Sequence, residues 1–257
     1  MTDHSIKRKT VLIAGGAKNL GGLIARDPAE QGAKAIANHY KSAATKADAD
    51  APVAAIKAAG VEAVALQGDL TTAAAVVTLF AKAVAAIGRP DTAINTAGMV
   101  VKKPIPEITE ADYDNIFAIK SKAAFFFIKG AGKHLNDGGK LCTIVTSLLG
   151  AFTGLYSIYA GSKAPAEHLT RAASKEFGSR GISVTAVAPE PMETSFFYGQ
   201  ETAESAHYSQ NAADLSKCTK TGLTDPADIV TLVRYLVGEG WWITGQTILA
   251  NGGYTTK

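Results

Sequence analysis

The sequence predicts an α/β fold in which one domain is built around a parallel sheet of about seven strands with helices on both faces. Short runs rich in β-branched residues alternate with longer, alanine-rich stretches of helical period. No Pro- or Ser-rich linker interrupts this alternation, so residues 1–257 are expected to form a single domain. Both observations are typical of a doubly wound sheet of the Rossmann type.

The expected elements alternate regularly along the chain. The predicted strands are 10–15, 33–39, 62–67, 92–95, 140–146, 182–188 and 246–250. The predicted helices are 20–31, 44–59, 72–87, 108–134, 157–178 and 226–238. The stretch at about 190–224 is the least regular. Because an open α/β sheet binds ligands beyond the carboxyl ends of its strands, we expect this stretch to form a substrate lid.

Composition and charge exclude several classes of function. The chain is 47% apolar and 19% charged, which is enough apolar material for a sizeable core. The net charge of +3 is small and the lysines are scattered, so no nucleic-acid partner is expected. Because no apolar run is typical of a membrane span or a signal peptide, we expect a cytoplasmic protein without a membrane partner. Cys142 and Cys218 lack metal-ligand spacing, and no metal is expected.

A glycine-rich turn follows the first predicted strand, where residues 14–22 read AGGAKNLGG. Glycines let the backbone approach a pyrophosphate closely, and the amino terminus of the following helix presents unpaired N–H groups. Tight turns between strands and helices also need glycine for structural reasons, so the turn alone leaves both interpretations open. Its position after the first strand favours a dinucleotide.

The strongest catalytic signal is Tyr159 followed four residues later by Lys163. Residues four apart share one face of a helix, and an ammonium one turn away favours the ionised form of a phenol. Tyr159 can then donate a proton to a carbonyl oxygen, or accept one in the reverse direction. On its own this spacing also occurs by chance in a surface helix pair.

Together these motifs resemble the classical short-chain dehydrogenase/reductases, whose phosphate loop reads TGxxxGxG and whose catalytic helix carries YxxxK. Gly15 and Gly21 match the outer glycines of the loop, and Asn19, which tolerates a left-handed backbone, stands at the middle one. The pair Asp69-Leu70, the run 95–98 (NTAG) and the closing strand are also similar to the family. The resemblance covers essentially the whole chain.

The resemblance implies a catalytic serine about a dozen residues before the tyrosine, and Ser147 fits. Thr146 is the alternative if the intervening loop differs by one residue. Residues 189–194 (PEPMET) resemble the family's PGxxxT stretch, in which Thr194 would bind the nicotinamide carboxamide. The implied cofactor-binding residues are Gly15, Lys18, Asn19, Leu20, Gly21, Tyr40, Lys41, Ser42, Asp69, Leu70, Asn95, Ala97, Gly98, Tyr159, Lys163, Pro189, Met192 and Thr194.

The end of the second strand indicates which dinucleotide is bound. An acidic side chain there would bind the ribose 2′-hydroxyl of NAD, whereas this chain reads NHYKSAATK. With Lys18, Lys41 and Ser42 able to meet a 2′-phosphate, NADP(H) is expected in preference to NAD(H). The alternative is that both lysines are merely solvated.

Three positions depart from the family pattern. Lys120 stands at the position of an asparagine that holds a relay water, and Asn115, about 140° around an ideal helix, is not expected to replace it. If Lys120 points inward, repulsion from Lys163 should lower activity or shift the pH optimum. Glu190 replaces a glycine and should either crowd the cofactor or point to solvent. Pro28 predicts a kink or an early helix end near Asp27.

The sequence therefore predicts an NADPH-dependent carbonyl reductase, with Ser147, Tyr159 and Lys163 as its catalytic residues. Apolar lid residues (Phe196, Phe197 and Tyr198) favour a small, hydrophobic ketone or secondary alcohol as the substrate. Two alternatives remain open: a catalytically weak NADP(H)-binding sensor or interaction protein, and a 3-oxoacyl thioester reductase. By resemblance, the protein would be a homotetramer built on helices 108–134 and 157–178.

Overall fold

The computed structural model describes residues 3–255; residues 1, 2, 256 and 257 of the expected domain lie outside this range. Seven parallel strands form one sheet in the order β3-β2-β1-β4-β5-β6-β7. This sheet confirms the predicted fold class. The strands are β1 (Thr10–Ala14), β2 (Ala35–Tyr40), β3 (Glu62–Gln67), β4 (Thr92–Asn95), β5 (Lys140–Ile144), β6 (Ser183–Pro189) and β7 (Thr247–Ala250).

Helices cover both faces of the sheet. They are α1 (Asn19–Glu30), α2 (Lys46–Ala58), α3 (Ala73–Ile87), α4 (Glu110–Phe117), α5 (Ala123–His134), α6 (Ser157–Glu176), α7 (Ser195–Tyr198), α8 (Ala203–Ser209) and α9 (Pro226–Leu236). Side chains of β1 alternate between two cores, because Leu12 packs with α3 and α5 while Ile13 packs with α1 and α9. The central strands are therefore buried on both faces, as expected for a parallel sheet.

The strand order reverses at β1, which lies between β2 and β4. The chain moves outward from β1 in one direction to β3 and then returns to build the other half of the sheet from β4 to β7. At such a reversal the connections on the two sides diverge, which leaves a crevice at the carboxyl ends of the strands.

The first helix does not end near Asp27, so the early end that was one of the two expected outcomes there is wrong. Helix α1 continues through Pro28 to Glu30. Both Asp27 and Pro28 are buried near α9, and Asp27 Oδ1 forms an ion pair with Arg234 Nη1 at 3.0 Å. Packing against α9 offsets the hydrogen bond that the proline cannot donate.

The helical region predicted at 108–134 is present from Glu110 to His134, but its regular repeat is interrupted. The first segment, α4, begins after Thr109, whose side chain accepts a hydrogen bond from the N–H of Asp112. A π turn at Ala118–Lys122 then separates α4 from α5. A π turn inserts an extra residue into the helical repeat and changes which side chains share a face. Within residues 3–255, no helix is long and apolar enough to cross a bilayer.

Candidate active site

A cleft of about 910 Å³ lies at the carboxyl ends of the strands. Its lining includes the glycine-rich turn after β1, the segments that follow the central strands, the start of α6 and much of the lid. All the residues predicted from the sequence to bind the cofactor or act in catalysis line this cleft, except Ser42 and Asn95. The structure therefore places most of the predicted site in one cavity.

The two exceptions have structural partners nearby. The N–H of Ser42 donates to Thr45 Oγ1 at 3.2 Å, and Thr45 lines the cleft in its place. Asn95 Oδ1 accepts a hydrogen bond from the N–H of Ala97 at 3.1 Å. Asn95 thus shapes the turn after β4, and Ala97 faces the cleft.

The glycine-rich turn has the conformation that a phosphate cradle needs. Gly15 has φ of +80°, and a β-carbon there would lie 2.8 Å from the backbone of Ala97. A β-carbon on Gly21 would collide with the carbonyl of Gly15. Asn19 has φ of +51°, so the left-handed backbone expected at the middle position is present. No side chain caps α1 at Lys18, which leaves N–H groups of its first turn free for an anion.

Buried side chains from β2 hold this turn in place, and sequence reasoning missed them. His39 Nδ1 accepts from the N–H of Gly15 at 3.1 Å, and its Nε2 lies 2.7 Å from Gly68 O. Burial is the main cause that lowers the pKa of His39, so the ring is neutral with its proton on Nε2. Asn38 Nδ2 donates to Gly16 O at 2.9 Å. Because β1 and β2 are neighbouring strands, the polar residues at the end of β2 could have been predicted to lie next to the turn that follows β1.

The two lysines expected at a 2′-phosphate lie on the rim of the cleft. Lys18 Nζ is 3.3 Å from Asp48 Oδ2, and Lys41 Nζ is 3.6 Å from Asp69 Oδ2. All four side chains are well exposed. Exposed pairs of this kind contribute at most about 1 kcal/mol, so an incoming phosphate can compete with the carboxylates for the lysines.

The expected catalytic side chains meet on one wall of the cleft. Tyr159 and Lys163 lie in the first two turns of α6, with Lys163 Nζ 5.3 Å from the centroid of the Tyr159 ring. Lys163 Nζ also donates to Val145 O at 2.5 Å, which anchors it to the end of β5. Ser147 is 1% exposed, and its Oγ has no hydrogen-bonding partner among residues 3–255. A buried hydroxyl without a partner is rare and is suited to a ligand oxygen.

Thr146, the alternative to Ser147, is engaged differently. Its hydroxyl accepts a long hydrogen bond of 3.4 Å from the N–H of Leu148 and caps the short 3₁₀ turn that carries Ser147. The geometry therefore favours Ser147 as the group that meets a substrate oxygen.

The Lys120 side chain points into the cleft, which is the condition under which repulsion from Lys163 was expected. It lies on the π turn, is 7% exposed, and places Nζ 5.3 Å from the centroid of the Tyr159 ring. A β-carbon on Gly98 would collide with Nζ, so glycine is needed there to admit the lysine. Burial first, and then the adjacent Lys163, hold the pKa of Lys120 well below its ordinary value. Both effects favour the neutral form of the amine.

Asn115 also lines the cleft, although an ideal helix would turn it away from the side that carries Lys120. Because a π turn pairs residues five apart, the turn at Ala118–Lys122 brings Asn115 toward the same side as Lys120. Ser121 Oγ donates to Ser162 O at 2.6 Å and ties this turn to α6.

A buried polar cluster joins the lid to the body of the protein. Lys102 Nζ lies 2.5 Å from Glu201 Oε2 and 3.2 Å from Ser205 Oγ, and Tyr156 donates to Glu201 Oε1. Burial opposes ionisation of Glu201, but the hydrogen bonds from Lys102, Ser205 and Tyr156 lower its pKa. The Tyr156 ring also packs edge-on against Tyr159 at 5.9 Å. Sequence reasoning missed this cluster, because Lys102 and Glu201 are 99 residues apart.

The rest of the lid agrees only partly with expectation. Phe196 and Phe197 line the cleft, whereas Tyr198 donates to Glu193 Oε2 at 2.8 Å outside it. Glu190 is 4% exposed and lines the cleft, so the expectation that it could point to solvent is wrong. Burial raises its pKa to about 7.

The chain is similar to a known protein family over most of its length. A short-chain dehydrogenase/reductase model, described as enoyl-(acyl carrier protein) reductase, matches residues 15–255. The chain belongs to the short-chain dehydrogenase/reductase family. This assignment confirms the resemblance, and with it the prediction that the protein is an oxidoreductase.

Individual relatives are similar over nearly their full length. A hydroxynaphthalene reductase-like protein of Metarhizium brunneum is 33% identical, with 99% of this chain and 98% of the relative covered. A dehydrogenase structure from Burkholderia cenocepacia with bound NADP is 63% identical with a TM-score of 0.98, covering 100% of this chain and 97% of that one. A blue fluorescent protein from a metagenomic library, in complex with NADPH, is 29% identical with a TM-score of 0.90, covering 98% and 100%. Both bound dinucleotides agree with the expected NADP(H).

Proposed function

We propose that this enzyme is an NADPH-dependent carbonyl reductase that interconverts a hydrophobic ketone and its secondary alcohol. The observation that carries this proposal is the unpartnered Ser147 hydroxyl, which lines the same cleft as Tyr159, Lys163 and the glycine-rich cradle. A ketone oxygen placed against Ser147 and Tyr159 would supply the missing partner.

Each side chain has a distinct task. Bound NADPH supplies the hydride. The Ser147 hydroxyl donates a hydrogen bond to the carbonyl oxygen and stabilises the negative charge that develops on it. Tyr159 donates the proton that completes the alcohol, and the Lys163 ammonium stabilises the phenolate that remains. In the oxidative direction Tyr159 accepts the proton instead.

The cofactor is assigned from the cradle and its rim. The backbone at Gly15 and Gly21 leaves room for a pyrophosphate, and the first turn of α1 presents free N–H groups toward it. Lys18 and Lys41 line the rim of the cleft with exposed amines that could meet a 2′-phosphate, which supports NADP(H) over NAD(H). The dinucleotides held by the similar solved structures support the same choice.

An aromatic ketone suits the substrate side of the cleft. The aromatic side chains that line it there include Tyr156, Phe196, Phe197, Tyr208 and Tyr254. The names of the hydroxynaphthalene reductase-like relatives also support an aromatic substrate. A second candidate is a 3-oxoacyl thioester, which is favoured by the family model's description as a reductase of acyl-carrier-protein substrates.

A substrate panel with a parallel binding assay tests the proposal. NADPH oxidation is followed with aromatic ketones and with 3-oxoacyl thioesters, and NADPH affinity is measured by cofactor fluorescence. The proposed function predicts saturable turnover of aromatic ketones. Saturation with thioesters alone would favour the second candidate, and tight NADPH binding without any turnover would favour a sensor role.

We also expect a homo-oligomer. Phe125 on α5 is 46% exposed, and a large apolar side chain on a helix surface suits a contact between subunits. Light scattering of the purified protein would test the expected tetramer.

A further inference from the structure

Glu190 is a buried carboxyl that has no task in the proposed chemistry. It follows Pro189 as β6 ends, is 4% exposed, and lines the cleft. In the described part of the chain, Oε1 has no hydrogen-bonding partner. Burying a carboxyl oxygen without a partner is unfavourable, and such atoms are rare in folded proteins. A ligand that donates a hydrogen bond to Oε1 would remove this cost.

The surroundings of Glu190 place it on the lid side of the cleft. Its Oε2 lies 3.9 Å from a β-carbon built on Gly252, and Ala213 of the lid lies 3.4 Å from the same point. Burial first, and then Tyr208 and Glu190, raise the pKa of Tyr254, and all three side chains line the cleft. The carboxyl therefore borders the space between the lid and the loop that follows β7.

Glu201 shows how a buried carboxylate in the same cleft is satisfied from within the protein. Lys102, Ser205 and Tyr156 all form hydrogen bonds with Glu201, and Lys102 also donates to Ser205 Oγ. No comparable cation pairs with Glu190 within residues 3–255, and burial is the cause that raises its pKa. The partner for Glu190 is therefore expected from outside the chain.

The charges near Glu190 define the kind of ligand. The titratable groups that face this region are Tyr208, Tyr254 and Asp214, whose Oδ2 lies 2.8 Å from a β-carbon built on Gly253. None of these groups is a cation, so an anionic ligand would find no opposite charge among them. A neutral hydroxyl can donate to Oε1 without bringing a negative charge.

We propose that Glu190 accepts a hydrogen bond from a hydroxyl group that the substrate carries in addition to the carbonyl being reduced. The enzyme then selects hydroxylated aromatic ketones over their plain counterparts. This inference rests on the proposed function and assigns substrate selection to a position where the family motif has glycine.

Calorimetric titration of the NADP⁺-bound enzyme tests the inference without requiring turnover. The ligands are α-tetralone and a set of its ring-hydroxylated isomers. At least one hydroxylated isomer should bind about tenfold more tightly than α-tetralone, and Glu190→Gly should remove this preference. Glu204→Gln, an exposed change on α8, serves as the control and should keep the preference.

Glu190→Gln provides a second test if the glycine variant fails to fold. A hydroxyl donates more strongly to a carboxylate than to a neutral acid, so the parent's preference should rise as pH increases through about 7. The glutamine variant keeps an acceptor oxygen but does not titrate. Its preference should be weaker and independent of pH.

Three results would overturn the inference. The first is equal binding of all the ketones by the parent, and the second is a preference that survives in Glu190→Gly. The third is a loss of NADP⁺ affinity in Glu190→Gln, which would assign the carboxyl to the cofactor. NADPH turnover measured in parallel separates this inference from the proposed reductase function. A preference for hydroxylated ketones without turnover refutes only the reductase function. Turnover without such a preference refutes only the role of Glu190.

Discussion

The two walls of the cleft obtain their functional residues in different ways. On the wall formed by β5 and α6, the proposed catalytic residues all come from the short stretch 147–163. On the lid wall, Glu201 reaches Lys102 across 99 residues of sequence, and Glu190 lies between the lid and the loop after β7. The proposed chemistry thus depends on local spacing, whereas the proposed substrate selection depends on how distant segments are packed together.

The walls also differ in how buried charge is balanced. Glu201 is paired, whereas Lys120 on the catalytic wall lies beside another lysine and Glu190 lacks a partner for Oε1. A paired charge holds a structure together, but an unpaired one destabilises it unless a ligand or a change of protonation relieves it. The predictions below separate these roles.

The largest effect is expected on the catalytic wall. Tyr159→Phe removes the proton donor and should lower kcat by about a thousandfold while leaving NADPH affinity nearly unchanged. Steady-state kinetics and cofactor fluorescence measure the two quantities. Tyr235→Phe, on the exposed surface of α9, is the matched control. A kcat within tenfold of the parent would remove Tyr159 from the mechanism.

Ser147→Ala should lower kcat by about a hundredfold, because one hydrogen bond to the developing oxyanion is lost. Thr146→Val, which keeps the shape of the neighbouring side chain, should change kcat by less than about threefold, since its hydroxyl is engaged in the turn. Parallel kinetics of both variants decide between them. The reverse order of effects would show that Thr146 is the catalytic hydroxyl.

On the lid wall the expected effect is on substrate binding. Glu201→Gln leaves Lys102 buried without its carboxylate partner, so the lid should open more often and KM should rise about tenfold, with a smaller change in kcat. Limited proteolysis within 190–224 should become faster. Glu204→Gln is again the control, and unchanged KM and proteolysis would contradict a role for this cluster in closing the lid.

The smallest effect is expected in the pH dependence of stability. Lys120 has a lowered pKa in the folded protein, whereas the unfolded chain keeps its proton up to about pH 10.4. Between the pKa of Lys120 in the folded protein and its pKa in the unfolded chain, the unfolded state binds more protons. The free energy of unfolding therefore rises with pH across this interval. Lys120→Met should remove this slope and raise the free energy of unfolding at pH 7 by about 1–3 kcal/mol.

Urea unfolding at several pH values checks the Lys120 prediction, with the exposed Lys122→Met as the control from the same turn. For activity, Lys120→Asn should shift the pH–rate profile. An unchanged profile would refute a catalytic influence of Lys120.

Much of the fold and the catalytic wall could be predicted from the sequence, because the signals are local. Alternating strands and helices define the sheet, and Tyr159 and Lys163 lie one helical turn apart wherever α6 begins. The π turn could not be predicted, since the period of an ideal helix does not reveal one inserted residue. Nor could the continuation of α1 past Pro28, which depends on packing against α9 from the far end of the chain.

Hydride delivery to a carbonyl carbon is the central claim, and isotopic labelling tests it directly. The enzyme is incubated with α-tetralone and NADPH deuterated at the hydride-donating position, and the product is analysed by mass spectrometry. One deuterium on the carbinol carbon for each NADPH consumed is the predicted result. NADPH oxidation without a labelled alcohol, or NADPH binding with neither, would contradict the assignment as a carbonyl reductase.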